Sequence, residues 1–310
     1  MKKKLFLNEF VLKIIALVTM TLDHIGLYLV SYSGIIDIST PHFDNWMFTV
    51  GFIFRIIGRI AFPLYIYMII QGVKHTRNFW LYFMKLGIVG GAIAIFQFVM
   101  SITQVMDLST FSSPFIDLML VALMVYLLRK KNKLSILSGL PIALFVFTFV
   151  IQVIEKANSI TILWYPAWVR PSYSVFGLVL GLGFYFASDL AYACLIKKDN
   201  REMYPKEIVS KMDEFQNVEN IFSVSILFLL NFILFITAYI QYNNVTLFSV
   251  YSNGFEFANI QTFSVLAGIP LFFYNGKRGY NKPWFKYFNY LYFPLHIIVI
   301  FLIFYLIYIA

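Results

Sequence analysis

The sequence predicts an all-α polytopic integral membrane protein, one domain over residues 1–310 with about nine transmembrane helices. Three observations predict it. Only 13% of the residues are charged, against 60% hydrophobic and 20% aromatic, where a soluble domain is about a quarter charged. Mean hydropathy is +0.77, and apolar runs repeatedly reach the roughly 20 residues that cross a hydrocarbon core. Basic residues also recur in every second loop, the alternation expected when positive loops stay on one side of the membrane.

In chain order the spans fall at roughly 10–32, 47–72, 79–104, 112–129, 134–154, 174–196, 220–242, 256–275 and 286–309. The first, FVLKIIALVTMTLDHIGLYLVSY, is too long for a signal-peptide core, carries charges and lacks a small-residue cleavage site, so it reads as a retained helix. Lys2, Lys3 and Lys4 precede it. Lys74 and Arg77 follow the second span, Arg129, Lys130, Lys131 and Lys133 the fourth, Lys197, Lys198, Arg201, Lys206 and Lys211 the sixth, and Lys277, Arg278 and Lys282 the eighth. The intervening loops hold only Lys156 and Arg170 alongside Asp37, Asp44, Asp107 and Glu155. The expected topology therefore has a cytoplasmic N-terminus and, with nine spans, an extracytoplasmic C-terminus. The net charge of +9 is accounted for in the same way, and no nucleic-acid partner is expected.

Several segments carry local signals. Pro63 is expected to kink the second span. GIVGG (87–91) and GLVLG (177–181) hold the Gly-x-x-x-Gly spacing that lets helices approach closely. ITILWYPAWVRPSY (160–173) is too short and Pro-broken to span; its Trp164, Tyr165, Trp168 and Tyr173 fit an interfacial belt, or a lid over an outer cavity. Cys194 is the only cysteine, which excludes an intrachain disulfide and a Cys-rich metal site. No zinc motif, P-loop, dinucleotide fingerprint or nucleophile elbow is present.

Ionisable residues inside a span cost about 2.5–3.5 kcal/mol each on insertion scales and are functional candidates for that reason. Asp23 and His24 lie about two-thirds of the way along the first span. A histidine near a carboxylate can be held in one tautomer as a general base. Arg55 and Arg59, at i and i+4 on the second span, share one face and a similar depth, which suits an anion or a developing oxyanion. Two arrangements stay open: Asp23 orients His24, or Asp23 pairs with an arginine. The second leaves the other arginine without an obvious partner. His296 lies in YFNYLYFPLHIIVIF on the last span, with Tyr290 and Tyr292 nearby. At the cytoplasmic side, Lys74, His75 and Arg77 can grip phosphates, as can Lys277 and Arg278 in the glycine-containing turn FFYNGKRGYNKPWF. His75 stands 16 residues from Arg59, about 24 Å along a helix, so the two can share a long ligand but not a reacting atom. Taken by themselves, these residues suit a membrane acyltransferase and a proton- or anion-coupled transporter or flippase equally well.

LKIIALVTMTLDHIGLYL, RIIGRIAFPLYIYMIIQGVKHTRN, FFYNGKRG and YFNYLYFPLH, in that order, resemble the blocks of the TraX family. Weaker similarity lies between them, as in SPFIDLMLVALMVYLL and SYSVFGLVL. Gln71 departs from the pattern, since the family often has an acid there. The resemblance implies a multi-pass protein of the bacterial cytoplasmic membrane related to pilin N-acetylases and to acyltransferases that draw on cytoplasmic acyl-CoA. It implies acetyl-CoA as donor, no metal, and a membrane or envelope peptide or glycan as acceptor. His24, Asp23, Arg55, Arg59 and His296 would then be catalytic, and Lys74, His75, Arg77, Lys277 and Arg278 would hold CoA.

Overall fold

A chain with this little polar side chain to spare must pair its backbone groups internally, and helices do that within one segment. The computed structural model describes residues 5–36, 46–102, 113–130, 132–199, 206–210, 212–242 and 260–309, and among these the regular elements are all helices. They are α1 (Glu9–Ile36), α2 (Trp46–Gly58), α3 (Ala61–His75), α4 (Phe79–Ile102), α5 (Pro114–Leu128), α6 (Gly139–Asn158), α7 (Ser174–Asp199), the one-turn α8 (Lys206–Val209), α9 (Asp213–Tyr242), α10 (Ile260–Phe272) and α11 (Pro283–Ile309). Among the described residues, seven segments are long and apolar enough to cross a bilayer, α2 and α3 counting as one. They match seven of the expected spans. The other two expected spans are the shorter apolar helices α5 and α10. With 15 residues, α5 is about 22 Å long. The charge readings for Lys2, Lys3, Lys4, Asp37, Asp44, Asp107, Lys131, Arg201 and Lys211 lie outside the described residues.

The kink of the second span sits earlier than expected. Helix α2 ends at Gly58, and Arg59 and Ile60 form a turn in which Arg59 N donates to Ile56 O and Ile60 N to Ile57 O, both at 3.2 Å. Pro63 has no N–H for the carbonyl of Arg59, and its ring crowds that carbonyl, so the ladder breaks one turn ahead of the proline.

The chain forms two compact units, residues 1–65 with 190–310, and residues 66–189. In the first, α1 and α2 run antiparallel at close range. A Cβ on Gly51 would meet Leu29 Cβ at 2.9 Å and Gly26 O at 3.0 Å, and one on Gly58 would collide with Asp23. Helix α11 runs parallel to α1. Phe10 packs on Phe285 (centroids 4.8 Å apart), Thr21 meets Tyr292, and Tyr28 stacks on Phe304 (5.1 Å). Helix α10 runs against α9: Asn220 Nδ2 donates to Tyr274 O at 2.7 Å at one end, and Ser264 donates to Asn231 Oδ1 at 2.7 Å further along. The end of α10 returns to the start of α1, where Asn275 N donates to Leu7 O at 2.8 Å.

In the second unit, α4 and α5 pack antiparallel, with Gly87 facing Met119 and Gly90 facing Phe115. The close approach thus uses Gly87 and Gly90 rather than the Gly87–Gly91 pair of the expected motif; Gly91 meets nothing within 4 Å. Gly181 of GLVLG lies against Val121. Helices α5 and α7 run parallel, their starts joined by Asp117, which accepts from Ser172 N at 2.6 Å and Tyr173 N at 3.1 Å. The end of α6 returns to the same place, since Arg170, beside Pro171, binds Glu155. Helix α5 therefore runs opposite to both α4 and α6. The 160–173 segment is tied down: Arg170 is buried and also holds Tyr165 O, and Tyr165 Oη bonds Thr148 Oγ1 at 2.8 Å.

Candidate functional site

The first unit brings Asp23, His24, Arg55, Arg59 and His296 onto neighbouring helices. Glycine at 58 lets α2 come so close to α1 that both arginines reach one carboxylate. Arg55 Nη1 donates to Asp23 Oδ2 at 2.8 Å, and Arg59 Nη2 donates to Asp23 Oδ1. Arg59 Nε also reaches Arg55 O at 3.3 Å, and its Nη1 reaches Gln261 Oε1 at 3.4 Å. The aspartate therefore pairs with both arginines, one on each oxygen. The second arginine, which the sequence left without a partner, shares the same acid.

Successive side chains on a helix point about 100° apart, and Asp23 and His24 use that difference. Asp23 faces α2, whereas His24 faces α11. His24 Nδ1 lies 2.9 Å from Met20 O and 3.3 Å from His296 Nε2; His296 Nδ1 lies 2.9 Å from Tyr292 O. A carbonyl oxygen only accepts, so both Nδ1 atoms carry hydrogen. His296 Nε2 then faces the His24 Nδ1–H as an acceptor, and the lone pair of a neutral His24 falls on Nε2. Among the described residues no hydrogen bond reaches that Nε2. The His296 ring, 6% exposed, stacks on Tyr292 at 5.2 Å. Thr21 Oγ1 donates to Leu17 O, leaving Tyr292 Oη to donate to Thr21 at 2.6 Å. The tautomer of His24 is thus set by Met20 O and His296, and the carboxylate of Asp23 has no part in it.

Lys277 and Arg278 belong to the same unit but serve it first through their backbone. Their carbonyls accept from Glu9 N (2.8 Å) and Phe10 N (3.2 Å), two of the donors that α1 leaves open at its start. Gly276 and Gly279 take φ of +72° and +66°, which lets the turn curl over that helix end. The glycines of this turn shape the cap, while the Lys277 and Arg278 side chains stay exposed. Phe10 and Asp23 are 13 residues apart on α1, about 20 Å. Lys74, His75 and Arg77 belong to the second unit, at the end of α3 and the turn after it, with His75 and Arg77 exposed.

Sequence reasoning missed Gln261 and the roles of Thr21 and Tyr292. Thr21 stands two residues before Asp23, and Gln261 is a polar residue entering an apolar segment, a fainter signal than a charge.

A multi-pass helical membrane protein with a buried Arg–Asp–Arg group beside a histidine pair is the class that this fold and site define. The family model for TraX protein matches residues 9–198, more than half of the 310 residues, and the chain belongs to the TraX family. The match includes Asp23, His24, Arg55, Arg59, Lys74, His75 and Arg77, and ends before Gln261, Lys277, Arg278 and His296. No curated protein and no solved structure matches the chain.

Proposed function

We propose that this protein is a membrane-embedded acyltransferase that moves an acetyl group from cytoplasmic acetyl-CoA to an amine or hydroxyl of a membrane or envelope acceptor, without a metal. The observation that carries the reading is His24: its Nδ1 hydrogen is committed to Met20 O and His296, so Nε2 is left as a base. Membership in a family implicated in pilin N-acetylation agrees with it. His24 Nε2 takes the proton of the acceptor as its nitrogen or oxygen attacks the thioester carbonyl carbon. The new bond forms, negative charge gathers on the carbonyl oxygen, and the arginine group lies on the adjoining face of α1 to offset it. Collapse breaks the C–S bond, and the CoA thiolate recovers the proton from His24. His296 is a positioning residue that keeps a hydrogen-bond acceptor on Nδ1–H while the ring is charged.

The exposed Lys277 and Arg278 side chains meet the CoA phosphates, and the pantetheine arm covers the distance along α1. Lys74, His75 and Arg77 form a separate basic segment at the end of α3, and charge reversal of each segment on its own tests which one lowers the affinity for acetyl-CoA. The run directions of the helices support nine crossings. Helices α4 and α6 are long, consecutive among the long segments and parallel, so a return pass is needed between them, and α5 supplies it. Helices α9 and α11 stand in the same relation around α10. With the basic loops inside, the N-terminus is cytoplasmic and the C-terminus extracytoplasmic, in the bacterial cytoplasmic membrane.

The test is purified protein with radiolabelled acetyl-CoA and envelope fractions, followed by mass spectrometry of peptides, glycans and lipids with and without the gene. A CoA-dependent product carrying one added acetyl group is expected. Transmembrane flux of protons or anions in liposomes, with no acylated product, would instead identify a transporter.

A further inference from the structure

Gln261 lies in the first turn of α10 and is 5% exposed. Its Oε1 accepts from Arg59 Nη1 at 3.4 Å. A guanidinium can only donate, so the amide cannot be turned round: oxygen faces Arg59, and Nε2 faces away from it. That Nε2 is buried and has no hydrogen-bond partner among the described residues. The helix that carries it is held in register from a second side. One turn on, Ser264 Oγ donates to Asn231 Oδ1 at 2.7 Å, and Asn231 Nδ2 donates to Leu227 O at 2.8 Å. Gln261 is therefore fixed at both its backbone and its oxygen, with its amide nitrogen given no acceptor among the described residues.

A buried donor without an acceptor is rare in a folded protein and calls for an explanation. Next to a buried Arg–Asp–Arg group, the explanation with chemical content is an acceptor that arrives with a ligand. An amide N–H is a neutral donor, and Asp23 already neutralises one of the two guanidinium charges. A highly charged phosphate would find little to match it there, whereas the planar oxygen of an acyl group or small carboxylate fits. We propose that Gln261 Nε2, with Arg59 behind it, binds the oxygen of a small acyl group or carboxylate. Its use in the reaction, as the donor that meets the transferred carbonyl, rests on the acyl-transfer reading; the binding itself does not.

The experiment uses the full chain purified in detergent, with sodium acetate as probe and sodium chloride at equal ionic strength as reference. Acetate should raise the thermal unfolding midpoint of the wild type saturably, beyond the chloride response. Gln261→Glu keeps a partner for Arg59 and loses the donor, so it should fold and show no acetate-specific shift; Gln261→Leu should behave alike. An acetate response absent from the wild type, or retained in Gln261→Glu, overturns the proposal. Acetyl transfer is measured in parallel, where Gln261→Glu should lower kcat by about 10²–10³, as for an oxyanion donor, with KM for acetyl-CoA little changed. Acetate binding through Gln261 without any transfer by the wild type would sink the acyl-transfer reading and leave the site standing. Wild-type transfer left undiminished in Gln261→Glu would overturn the use of Gln261 as the donor that meets the transferred carbonyl and leave the acyl-transfer reading intact.

Discussion

An ionised aspartate is tolerated in an apolar helix when its desolvation is offset by partners close at hand. Asp23 has a guanidinium on each oxygen, and the arrangement is as much a requirement of the arginines as of the acid. Asp23→Asn should therefore destabilise the protein by about 3–5 kcal/mol, the usual loss when one member of a buried pair is removed. Denaturant unfolding in detergent measures it. The double variant Asp23→Asn with Arg59→Gln should lose less than the sum of the singles, because it removes the stranded charge; simple additivity would mean the pair is uncoupled. His24 and His296 should separate by function. His24→Ala should lower transfer to a hydroxyl acceptor by about 10²–10⁴. Transfer to an α-amine, whose pKa of about 7.7–8 needs less help from a base, should fall less. His296→Ala should fall short of either loss and displace the pH–rate profile, the signature of a residue that acts through His24. Equal losses in both variants with an unmoved profile would give His296 a direct role. Gln261 and Thr21 are uncharged and were not legible from the sequence, whereas Asp23, His24, Arg55, Arg59 and His296 were, because each is an ionisable group in lipid. Their pairing was not: His24 and His296 are 272 positions apart, and spacing along one helix cannot show which face meets which neighbour.

At the scale of elements, attraction between helices in lipid comes from packing and polar contacts, since the surrounding chains are as apolar as the helices. Small residues decide where backbones meet. The sequence showed the long apolar runs, and seven of the expected spans stand as helices long enough to cross. It found Gly87 and Gly181, which do lie against neighbouring helices, and passed over Gly26, Gly51 and Gly58, which act as a set only once α1 lies against α2. The break at Arg59 was also hidden: Pro63 announced a kink, but its effect falls on the carbonyl one turn earlier. Gly58→Ala should be the sharper test of this interface. Its methyl group would collide with Asp23, forcing α2 away, with a loss of about 1–3 kcal/mol typical of overpacking and weakened function. Gly91→Ala, with open space around it, should be neutral or stabilising by up to about 1 kcal/mol from helix propensity. Thermal unfolding of the two variants side by side gives the comparison, and a Gly58→Ala variant as stable as wild type would mean that the close approach contributes nothing.

At the scale of the whole molecule, two short helices decide the topology. At about 22 Å, α5 falls short of a hydrocarbon core of about 30 Å, and length alone would leave it out of the count. Direction argues the other way. Within the second unit the end of α6 lies at the start of α5, and α4 runs against α5 through Gly87 and Gly90. Two long helices on the same heading can be joined only by a pass in the opposite direction. In the first unit, Gln261 meets Arg59 at the level of Asp23, while Tyr274 bridges to Leu7. Helix α10 thus runs opposite to α1, and so to α11 beside it, while α9 opposes α10. A short crossing is accommodated by thinning of the bilayer around it, at fractions of a kcal/mol per Å of mismatch. The proposed nine spans require both short helices to cross. Site-specific labelling tests this directly. Cys194 is replaced by serine, because it is exposed, and single cysteines are placed at Lys130 and Asn158, on either side of α6, and at Lys277. With nine crossings, impermeant reagents added to intact cells should modify Asn158→Cys, while Lys130→Cys and Lys277→Cys should react only after permeabilisation. Modification of Lys277→Cys from outside would reverse the orientation of α10 and place its basic turn away from cytoplasmic acetyl-CoA, removing the route by which the donor is proposed to reach His24.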